Sequence, residues 1–205
     1  MYNIIAEAEV EFEKCWDNPL YTPIRLEDVD VNQTLSHYTS NKPIEFTRKM
    51  LWDMEIKKAW DPGTYIPYVV REGSAKSWGK KSCPECEIFV RVSEQKQWLN
   101  SSTYEEVYEE VYVNYSQQLV TFLGVTSLPG HSKQLAPKQP LFHVQHAVEG
   151  EDRHPMNKWR IVHLTDKRDP KLIEHFKGFN DPTTLPGFIE VYIKKDLGAE
   201  IEKSN

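Results

Sequence analysis

One histidine of this chain lies on a strand-like segment among apolar residues. In the sequence LFHVQHAVE, alternation places Phe142, Val144 and His146 on one face, with His143 and Gln145 on the other. If the apolar face lines an internal chamber, burial lowers the pKa of His146 and leaves a neutral imidazole that accepts a proton near pH 7. His146 is therefore the first candidate for acid–base chemistry. The alternative is a core histidine that hydrogen-bonds a backbone carbonyl.

A second histidine, His163, lies on the next strand-like segment, KWRIVHLT. Alternation puts His163 on the same face as Trp159 and Ile161. Two neighbouring antiparallel strands can bring His163 and His146 together, although the pattern does not fix their register. We therefore predict His163 as a further candidate catalytic residue.

Two phenols and a carboxylate share one face of the segment TYEEVYEEVYV if this segment is a strand. Tyr108, Glu110 and Tyr112 could then hold a substrate carbonyl and move a proton from its α-carbon, as an aldol-type cyclisation or an isomerisation requires. The alternative is a solvent-facing row stabilised by cross-strand pairs. Glu109 lies on the opposite face beside valines, and a buried glutamate requires a partner.

The three cysteines are too few, and odd in number, for a secreted disulfide framework. Cys83 and Cys86 form a single C-x-x-C, and a zinc site would need two more ligands. The formal candidates are His143 and His146, which point to opposite faces of their strand and make no natural pair of ligands, or the isolated His131 and His154. We expect a loop with two free thiols, a reducing compartment and no bound metal.

The composition excludes several classes of function. The chain has 31 acidic and 25 basic residues, a net charge of −6 and no basic patch for nucleic acid. No segment reaches the roughly 20 consecutive apolar residues of a membrane helix, and the first residues lack the pattern of a secretory signal. Phosphate-binding glycine loops, the serine-hydrolase elbow and H-E-x-x-H are absent. We expect a cytoplasmic protein with no nucleic-acid partner, no membrane span and no cofactor.

The elements that position these residues begin with an alternating segment. Residues 6–13 alternate between apolar residues and glutamate, which predicts a strand with one solvent-exposed face. A turn-rich connector follows, through Asp17-Asn18-Pro19 and Thr22-Pro23, and then a short strand around residues 29–38. The first strand of the fold is then either residues 6–13 or the region around Val29.

Residues 46–60 carry apolar side chains in two rows at helical spacing. This pattern predicts a helix with a broad apolar face that packs against the rest of the protein. Its Asp53 and Glu55 are expected to be solvated. Asp61-Pro62-Gly63 ends the helix, because proline disfavours the helical conformation in the residue before it. Residues 65–70 are then predicted to be extended.

From Glu87 onward most segments are strand-like and separated by polar or Gly/Pro turns, which predicts an antiparallel sheet of connected hairpins. The segment 103–113 also fits a helix, since Thr103 and Glu106 have the spacing of a capping box. We favour the strand, because it continues into an obvious partner strand. The tail predicts a short helix over 171–178 and a second helix or an extended arm over 185–197.

Two runs, PIEFTRKMLWDMEIKKAWDPGTYIPYVVREGS and YEEVYVNYSQQLVTFLG, resemble the START-like, Bet v 1-like superfamily of polyketide cyclases and lipid-transfer proteins. Within it, the chain is most similar to small fungal natural-product-cluster proteins with a Thr-Arg-x-x-Leu/Val-Trp helix, an aromatic-Val/Ile-Pro strand entry and a Glu-x-Val strand. The resemblance covers roughly residues 35–165. The segments before and after it depart from the compact family outline.

The resemblance implies an α+β helix-grip fold, in which a curved antiparallel sheet wraps around a C-terminal helix and leaves an apolar cavity. It also implies one START-like domain over residues 1–205. Within that domain, residues 1–30 form an N-terminal extension or first strand, and residues 166–205 form a C-terminal helical segment.

Function in such a fold resides in the few polar groups that project into the cavity. We expect a cofactor-independent biosynthetic enzyme of the cyclase, isomerase or lyase type that encloses a hydrophobic or aromatic intermediate and uses His, Tyr and Glu for acid–base chemistry. One alternative is a non-catalytic carrier or sensor of a hydrophobic ligand. The other is a structural domain whose cavity is filled by its own aromatic residues. The oligomeric state stays open, a homodimer included.

Overall fold

The computed structural model describes residues 2–204, which form a large antiparallel sheet with helices on both faces. The helices are α1 (Tyr2–Trp16), α2 (Val31–Leu35), α3 (Arg48–Trp60), α4 (Pro62–Tyr65), α5 (Pro170–Phe176) and α6 (Gly187–Lys195). The strands are β1 (Thr22–Arg25), β2 (Val29–Asp30), β3 (Tyr38–Ser40), β4 (Lys76–Cys83), β5 (Cys86–Lys96), β6 (Tyr104–Asn114), β7 (Leu119–Val125), β8 (Phe142–Glu151), β9 (His154–His163) and β10 (Ile201–Lys203).

The sheet of described residues has eight strands in the order β1-β9-β8-β7-β6-β5-β4, and β2 also pairs with β9. Strands β4 to β9 follow one another as hairpins, and each pairs antiparallel with its neighbour. The predicted sheet of connected hairpins is confirmed. The ambiguous segment 103–113 is a strand, because β5 and β7 on its two sides supply partners for its backbone groups.

Helices α3 and α6 lie together on the inner face of the sheet. Helix α3 begins after Thr47, whose side chain accepts a hydrogen bond from the Met50 amide, and it packs on β7, β8, β9 and α6. The main core lies between these layers and includes fully buried Leu51, Met54 and Ile193. The predicted α+β helix-grip fold is therefore confirmed, with the inner face shared between α3 and the C-terminal α6.

The outer face of the sheet is covered by α1, where the sequence pattern predicted a strand over residues 6–13. That prediction is wrong, because the apolar residues of this segment also recur at the spacing of a helix. The residues that α1 buries follow one another at helical spacing: Ile5, Ala8, Phe12 and Cys15. Ala8, Phe12 and Cys15 pack against Leu123 and Val162 of the sheet. Alanine and glutamate also favour a helix.

The first strand is β1, which pairs with β9 through Thr22 and Pro23 in the segment predicted to be a connector. Neither predicted alternative, residues 6–13 or the region around Val29, is the first strand. The Val29 region adds only the short β2 to the same edge. Asp30 then caps α2 by accepting a hydrogen bond from the Gln33 amide, which ends the strand.

The Asp61-Pro62-Gly63 turn ends α3 as predicted, but it also starts α4. The Asp61 side chain accepts a hydrogen bond from the Thr64 amide, and Pro62 occupies the first helical turn, where its missing N–H costs nothing. The extended segment predicted for residues 65–70 is therefore wrong. The chain instead continues through a turn to a single bridge between Val70 and Gln95.

Cys83 and Cys86 lie opposite each other at the tip of the β4–β5 hairpin and are joined by a disulfide, with their Cα atoms 5.0 Å apart. The predicted pair of free thiols is wrong, because antiparallel pairing across the two-residue turn places the two side chains together. Cys15 is the free cysteine of the described chain, and it is buried under α1. Across residues 2–204, the structure has no helix of the length and apolarity needed to span a membrane.

Candidate functional site

A cavity of about 330 Å³ lies between the inner face of the sheet, α6 and two loops. This volume is at the lower end of the range for small-molecule sites. Its walls are mainly aromatic and aliphatic, with four polar side chains from the sheet: Arg91, Gln95, Glu109 and His146. The predicted cavity is therefore present, and its own aromatic residues do not fill it.

The mouth of the cavity is formed by the loop of residues 66–69 and by residues 179–187, which lead into α6. Tyr68 and Phe179 are partly exposed at this rim. Tyr68 packs directly on Gly187, where a Cβ atom would lie 2.7 Å from the phenol ring. The glycine thus allows the two segments to approach each other closely at the mouth.

His146 lies on the cavity wall, in the middle of β8. Its ring stacks on Trp159 of β9 with a centroid distance of 4.2 Å and an interplanar angle of 8°. Its Nδ1 atom lies 3.0 Å from Oε2 of Glu55, so Nδ1–H donates to this carboxylate and Nε2 is the nitrogen that can accept a proton. The ring is therefore fixed in one tautomer and one plane.

Glu55 of α3 is completely buried, with 0% of its surface exposed. Its carboxylate accepts hydrogen bonds from His146, from Asn157 Nδ2 at 2.8 Å and from Lys58 Nζ at 2.8 Å. Burial opposes its charge, but Lys58 and His146 outweigh that effect and lower the pKa of Glu55 to about 2. The expectation that Glu55 is solvated is wrong, because α6 and the sheet enclose α3 on both sides.

Lys58 is the cation that balances Glu55. It is buried, and its Nζ atom lies 3.7 Å from the centre of the Phe188 ring and 4.9 Å from that of Trp159. Burial lowers the pKa of Lys58 to about 8, against the attraction of Glu55. Burial, and then the charge of Lys58, lower the pKa of His146 to about 4. At neutral pH the lysine and the glutamate are therefore charged and the imidazole is neutral, as predicted for His146.

Arg91 and Glu109 form a second buried pair on the cavity wall. Arg91 Nε donates to Glu109 Oε2 at 2.6 Å and Nη2 donates to Oε1 at 3.1 Å, while Nη1 donates to the Ala59 carbonyl at 3.0 Å. Gln95 also donates to Glu109. The prediction that a buried Glu109 has a partner is confirmed. Arg91 was not predicted, although alternation along β5 places it on the same face as buried Phe89.

Tyr108, Glu110 and Tyr112 share one face of β6 as predicted, and the Tyr112 hydroxyl donates to Glu110 Oε2 at 2.8 Å. That face is the outer one. Tyr108 packs in a separate cluster beside Leu128, and Tyr112 lies in the cluster under α1. Alternation gives β6 two faces, and the inner one carries Glu109. The three residues therefore do not line the cavity, and we propose no role for them there.

His163 is buried on the inner face but lies away from His146. In the register of β8 and β9, His146 pairs with Trp159, whereas His163 pairs with Phe142. Phe142 and His146 are four residues apart on β8, so the two pairs are separated by about 13 Å along the strands. The register, which the sequence pattern left open, therefore keeps the two histidines apart. The His163 ring packs against Trp98 and Phe142, and burial lowers its pKa to about 4. It does not line the cavity.

Within residues 2–204 no group of three or more His, Cys, Asp or Glu side chains is arranged to hold a metal ion. The site thus consists of the neutral His146, the ionised pair of Glu55 and Lys58 behind it, and the neighbouring pair of Arg91 and Glu109, which hydrogen-bond each other. The described chain is a helix-grip protein with a ligand-sized, mainly aromatic cavity.

No protein-family model matches the sequence, and no curated protein matches it. Similar solved structures include the Zhui aromatase/cyclase of Streptomyces sp. R1128, with 6% identity, 77% of this chain and 82% of that chain covered, and a TM-score of 0.43. They also include Ara h 8.0201, with 9% identity, 70% and 96% covered, and a TM-score of 0.42.

A third is the di-domain aromatase/cyclase BexL from the BE-7585A biosynthetic pathway, with 11% identity and a TM-score of 0.42. The similarity covers 92% of this chain and 48% of the di-domain protein, so the chain spans about half of that length. These three likenesses, at 6–11% identity, concern the fold alone.

Proposed function

We propose that the protein encloses a hydrophobic aromatic small molecule in its cavity and catalyses cofactor-independent proton transfer, in a reaction of the cyclase, isomerase or lyase type. The observation that carries the proposal is the His146 ring on the cavity wall with its Nδ1 atom 3.0 Å from the buried Glu55 carboxylate. This pairing of an imidazole with an orienting carboxylate is the arrangement that prepares a histidine to act as a general base.

In the proposed reaction, His146 Nε2 removes a proton from a carbon next to a carbonyl group of the ligand. The C–H bond breaks, its electron pair moves into an enolate, and the imidazolium that forms is stabilised by Glu55. In an isomerisation, the enolate then takes the proton back from the imidazolium at another carbon. In a cyclisation, the enolate carbon attacks a second carbonyl carbon, the C=O π electrons move to its oxygen, and this alkoxide takes the proton back from the imidazolium. The apolar walls exclude water, which strengthens these electrostatic interactions.

The test is deuterium incorporation into 2-tetralone, a bicyclic ketone with an enolisable C–H bond, followed by proton NMR in D₂O. The protein should accelerate the exchange, and His146→Ala should lower the catalysed rate by roughly 10²- to 10⁴-fold, the range for loss of a general base. Tyr112→Phe, on the outer face, is the matched control and should keep the full rate.

The pH dependence of the exchange gives a second readout. Because the base is active when unprotonated and the pKa of His146 is lowered to about 4, the catalysed rate should be constant from pH 6 to 8 and fall as the pH approaches that value. Exchange that His146→Ala leaves unchanged would rule out the proposed base.

A non-catalytic carrier is the second candidate function. It is favoured by Arg91, Glu109 and Gln95 on the cavity wall. Arg91 and Gln95 donate their hydrogen bonds to Glu109, so these donor groups are engaged with Glu109 rather than with a ligand. A carrier should bind 2-tetralone or a related aromatic ketone without accelerating deuterium exchange. Calorimetric binding together with a background exchange rate would therefore select this function over the enzyme.

A further inference from the structure

We propose that Gln95 selects a ligand with a phenolic hydroxyl group, which donates a hydrogen bond to the Gln95 Oε1 atom in the cavity wall. The inference rests on the proposed function, since it names a specificity residue and a substrate class for the same cavity. The substrate is then an aromatic ketone with a hydroxyl group at the end opposite its enolisable carbon.

Gln95 faces the cavity from the inner side of β5, with 6% of its surface exposed. Its Nε2 atom donates to Ser93 Oγ at 3.1 Å and to Glu109 Oε2 at 3.4 Å. Because a carboxylate paired with an arginine only accepts hydrogen bonds, Glu109 fixes which end of the amide is Nε2. The Oε1 atom has no hydrogen-bond partner within residues 2–204, and it is not among their fully covered atoms. A donor group of a ligand can therefore reach it.

The donor groups of the sheet wall are engaged or covered. Each of the three nitrogens of Arg91 donates to Glu109 or to a carbonyl group at the end of α3. The indole nitrogens of Trp98 and Trp159 are covered by protein, so a ligand in the cavity does not reach them. The sheet wall therefore does not compensate for the acceptor that Gln95 presents.

The other open polar atoms of the cavity are also mainly acceptors. His146 presents Nε2, which accepts because Nδ1 carries the proton that bonds Glu55. At the mouth, Asp181 adds a carboxylate, and Asn180 donates to a backbone carbonyl and leaves its Oδ1 atom without a partner in the described chain. The Tyr68 hydroxyl can donate, but this residue is 44% exposed at the rim, where water satisfies it. The ligand must therefore supply the donors.

A neutral hydroxyl group fits this wall better than an ammonium group. Glu55 and Glu109, the anions of the inner wall, each already have a buried cation as partner. Asp181 lies at the exposed mouth, where Lys203 is 3.9 Å away. A phenol keeps its proton at pH 7, since the pKa of an ordinary phenol is about 10. The aromatic lining favours a hydroxyl group that is attached to an aromatic ring.

Gln95 and His146 are placed to contact different ends of one ligand. They belong to β5 and β8, with β6 and β7 between them in the sheet. The Phe122 ring of β7 lies between them, 5.1 Å from the His146 ring and 4.4 Å from Arg91 Cζ. An aromatic ligand that packs on Phe122 can therefore place an enolisable carbon at His146 and a hydroxyl group at Gln95.

Three tetralones test this inference by isothermal titration calorimetry at pH 7. The first, 6-hydroxy-2-tetralone, has a phenolic hydroxyl group at the end opposite its enolisable carbons. The second, 2-tetralone, lacks this group, and the third, 6-methoxy-2-tetralone, replaces the donor with an acceptor. The hydroxyl compound should bind about three- to tenfold more tightly than 2-tetralone, which is the gain from one hydrogen bond. The methoxy compound should bind more weakly than the hydroxyl compound.

Gln95→Met keeps a side chain of similar length and removes Oε1. It should abolish the preference for the hydroxyl compound and leave the affinity for 2-tetralone unchanged. In the deuterium-exchange assay it should raise KM for the hydroxyl compound about three- to tenfold without lowering kcat, because the hydrogen bond is present in both the bound substrate and the transition state. Gln97→Met is the matched control and should keep the preference, since the Gln97 amide also forms hydrogen bonds but lies outside the cavity lining.

Equal affinities for the hydroxyl compound and 2-tetralone, or no binding of the hydroxyl compound, would overturn the inference. So would a preference that survives Gln95→Met, and its loss in Asp181→Asn would then assign the hydroxyl group to the mouth. These outcomes are separate from the test of His146. Deuterium exchange that depends on His146, with no preference for the hydroxyl compound, would leave the proposed function standing and remove this inference. A preference that depends on Gln95, with no catalysed exchange, would remove the catalytic role and leave Gln95 as the specificity residue of a carrier.

Discussion

Glu55 is the residue on which the site depends, since it links His146, Lys58 and Asn157 inside the core. A buried carboxylate is stable only when its hydrogen bonds and its counter-charge are both present. Here Asn157 and His146 provide neutral donors and Lys58 provides the charge. The same three contacts fix the orientation of the imidazole at the cavity wall.

Replacing Glu55 with alanine should destabilise the protein by about 3–5 kcal/mol, because it leaves Lys58 as an unpaired buried charge. Urea unfolding followed by circular dichroism measures this loss. The double variant Glu55→Ala/Lys58→Met should recover part of it, since the unpaired charge is removed.

The control is Glu94→Ala, which breaks the exposed pair with Arg71. Exposed pairs contribute less than about 1 kcal/mol, so this variant should unfold close to the wild type. A loss as small for Glu55→Ala as for Glu94→Ala would contradict the assigned ion pair.

At the scale of elements, the β8–β9 hairpin sets the register that separates His146 from His163. Its turn depends on Gly150, which has φ +79°, a conformation that glycine adopts readily. A Cβ atom at this position would also lie 2.1 Å from the His154 carbonyl oxygen, which is backbone and cannot move aside. Arg48 of α3 donates to the Gly150 carbonyl at 3.1 Å and ties the hairpin to the helix.

Gly150→Ala should therefore destabilise the protein more than Gly73→Ala. Gly73 has a similar φ of +71° but has open space where a Cβ atom would be added. The backbone conformation alone costs about 1–2 kcal/mol in Gly73→Ala, and the clash at Gly150 adds to it. Thermal unfolding of the two variants measures the difference. Equal shifts in Tm would show that the hairpin relaxes around the new methyl group.

At the scale of the whole molecule, buried histidines link stability to pH. The pKa values of His146 and His163 are each lowered by burial from 6.5 to about 4. Between these values the unfolded chain binds a proton on each of these two residues that the folded chain does not, and buried His143, whose pKa burial also lowers, acts in the same direction. Stability is therefore full above about pH 6.5 and is lost as the pH falls toward 4, by about 3 kcal/mol per pH unit.

Urea unfolding between pH 5 and 7 measures this slope above the range in which Glu55 also titrates. His163→Phe keeps a ring among Trp98, Phe142 and Phe176 and should reduce the slope by about 1.4 kcal/mol per pH unit, the share of one histidine. A slope that is the same in this variant would mean that His163 does not contribute.

The sequence by itself determined the hairpins from β5 to β9, because alternation of apolar and polar residues fixes which side chains share a face of a strand. It therefore predicted that His146 lies on the apolar face of its strand and that a buried Glu109 needs a partner. The same rule predicted that Tyr108, Glu110 and Tyr112 share a face.

Only the tertiary structure decided which face of each element became the inside. Residues 6–13 fit both a strand and a helix, and the outer face of the sheet selected the helix by offering an apolar surface to Phe12. Glu55 belongs to a helix that is enclosed on two sides. The only local feature that indicated its ion pair was the spacing of three residues between Glu55 and Lys58, which places both on the same side of a helix. Strand register separated the two histidines. Burial and register depend on contacts between distant segments, and local patterns do not contain them.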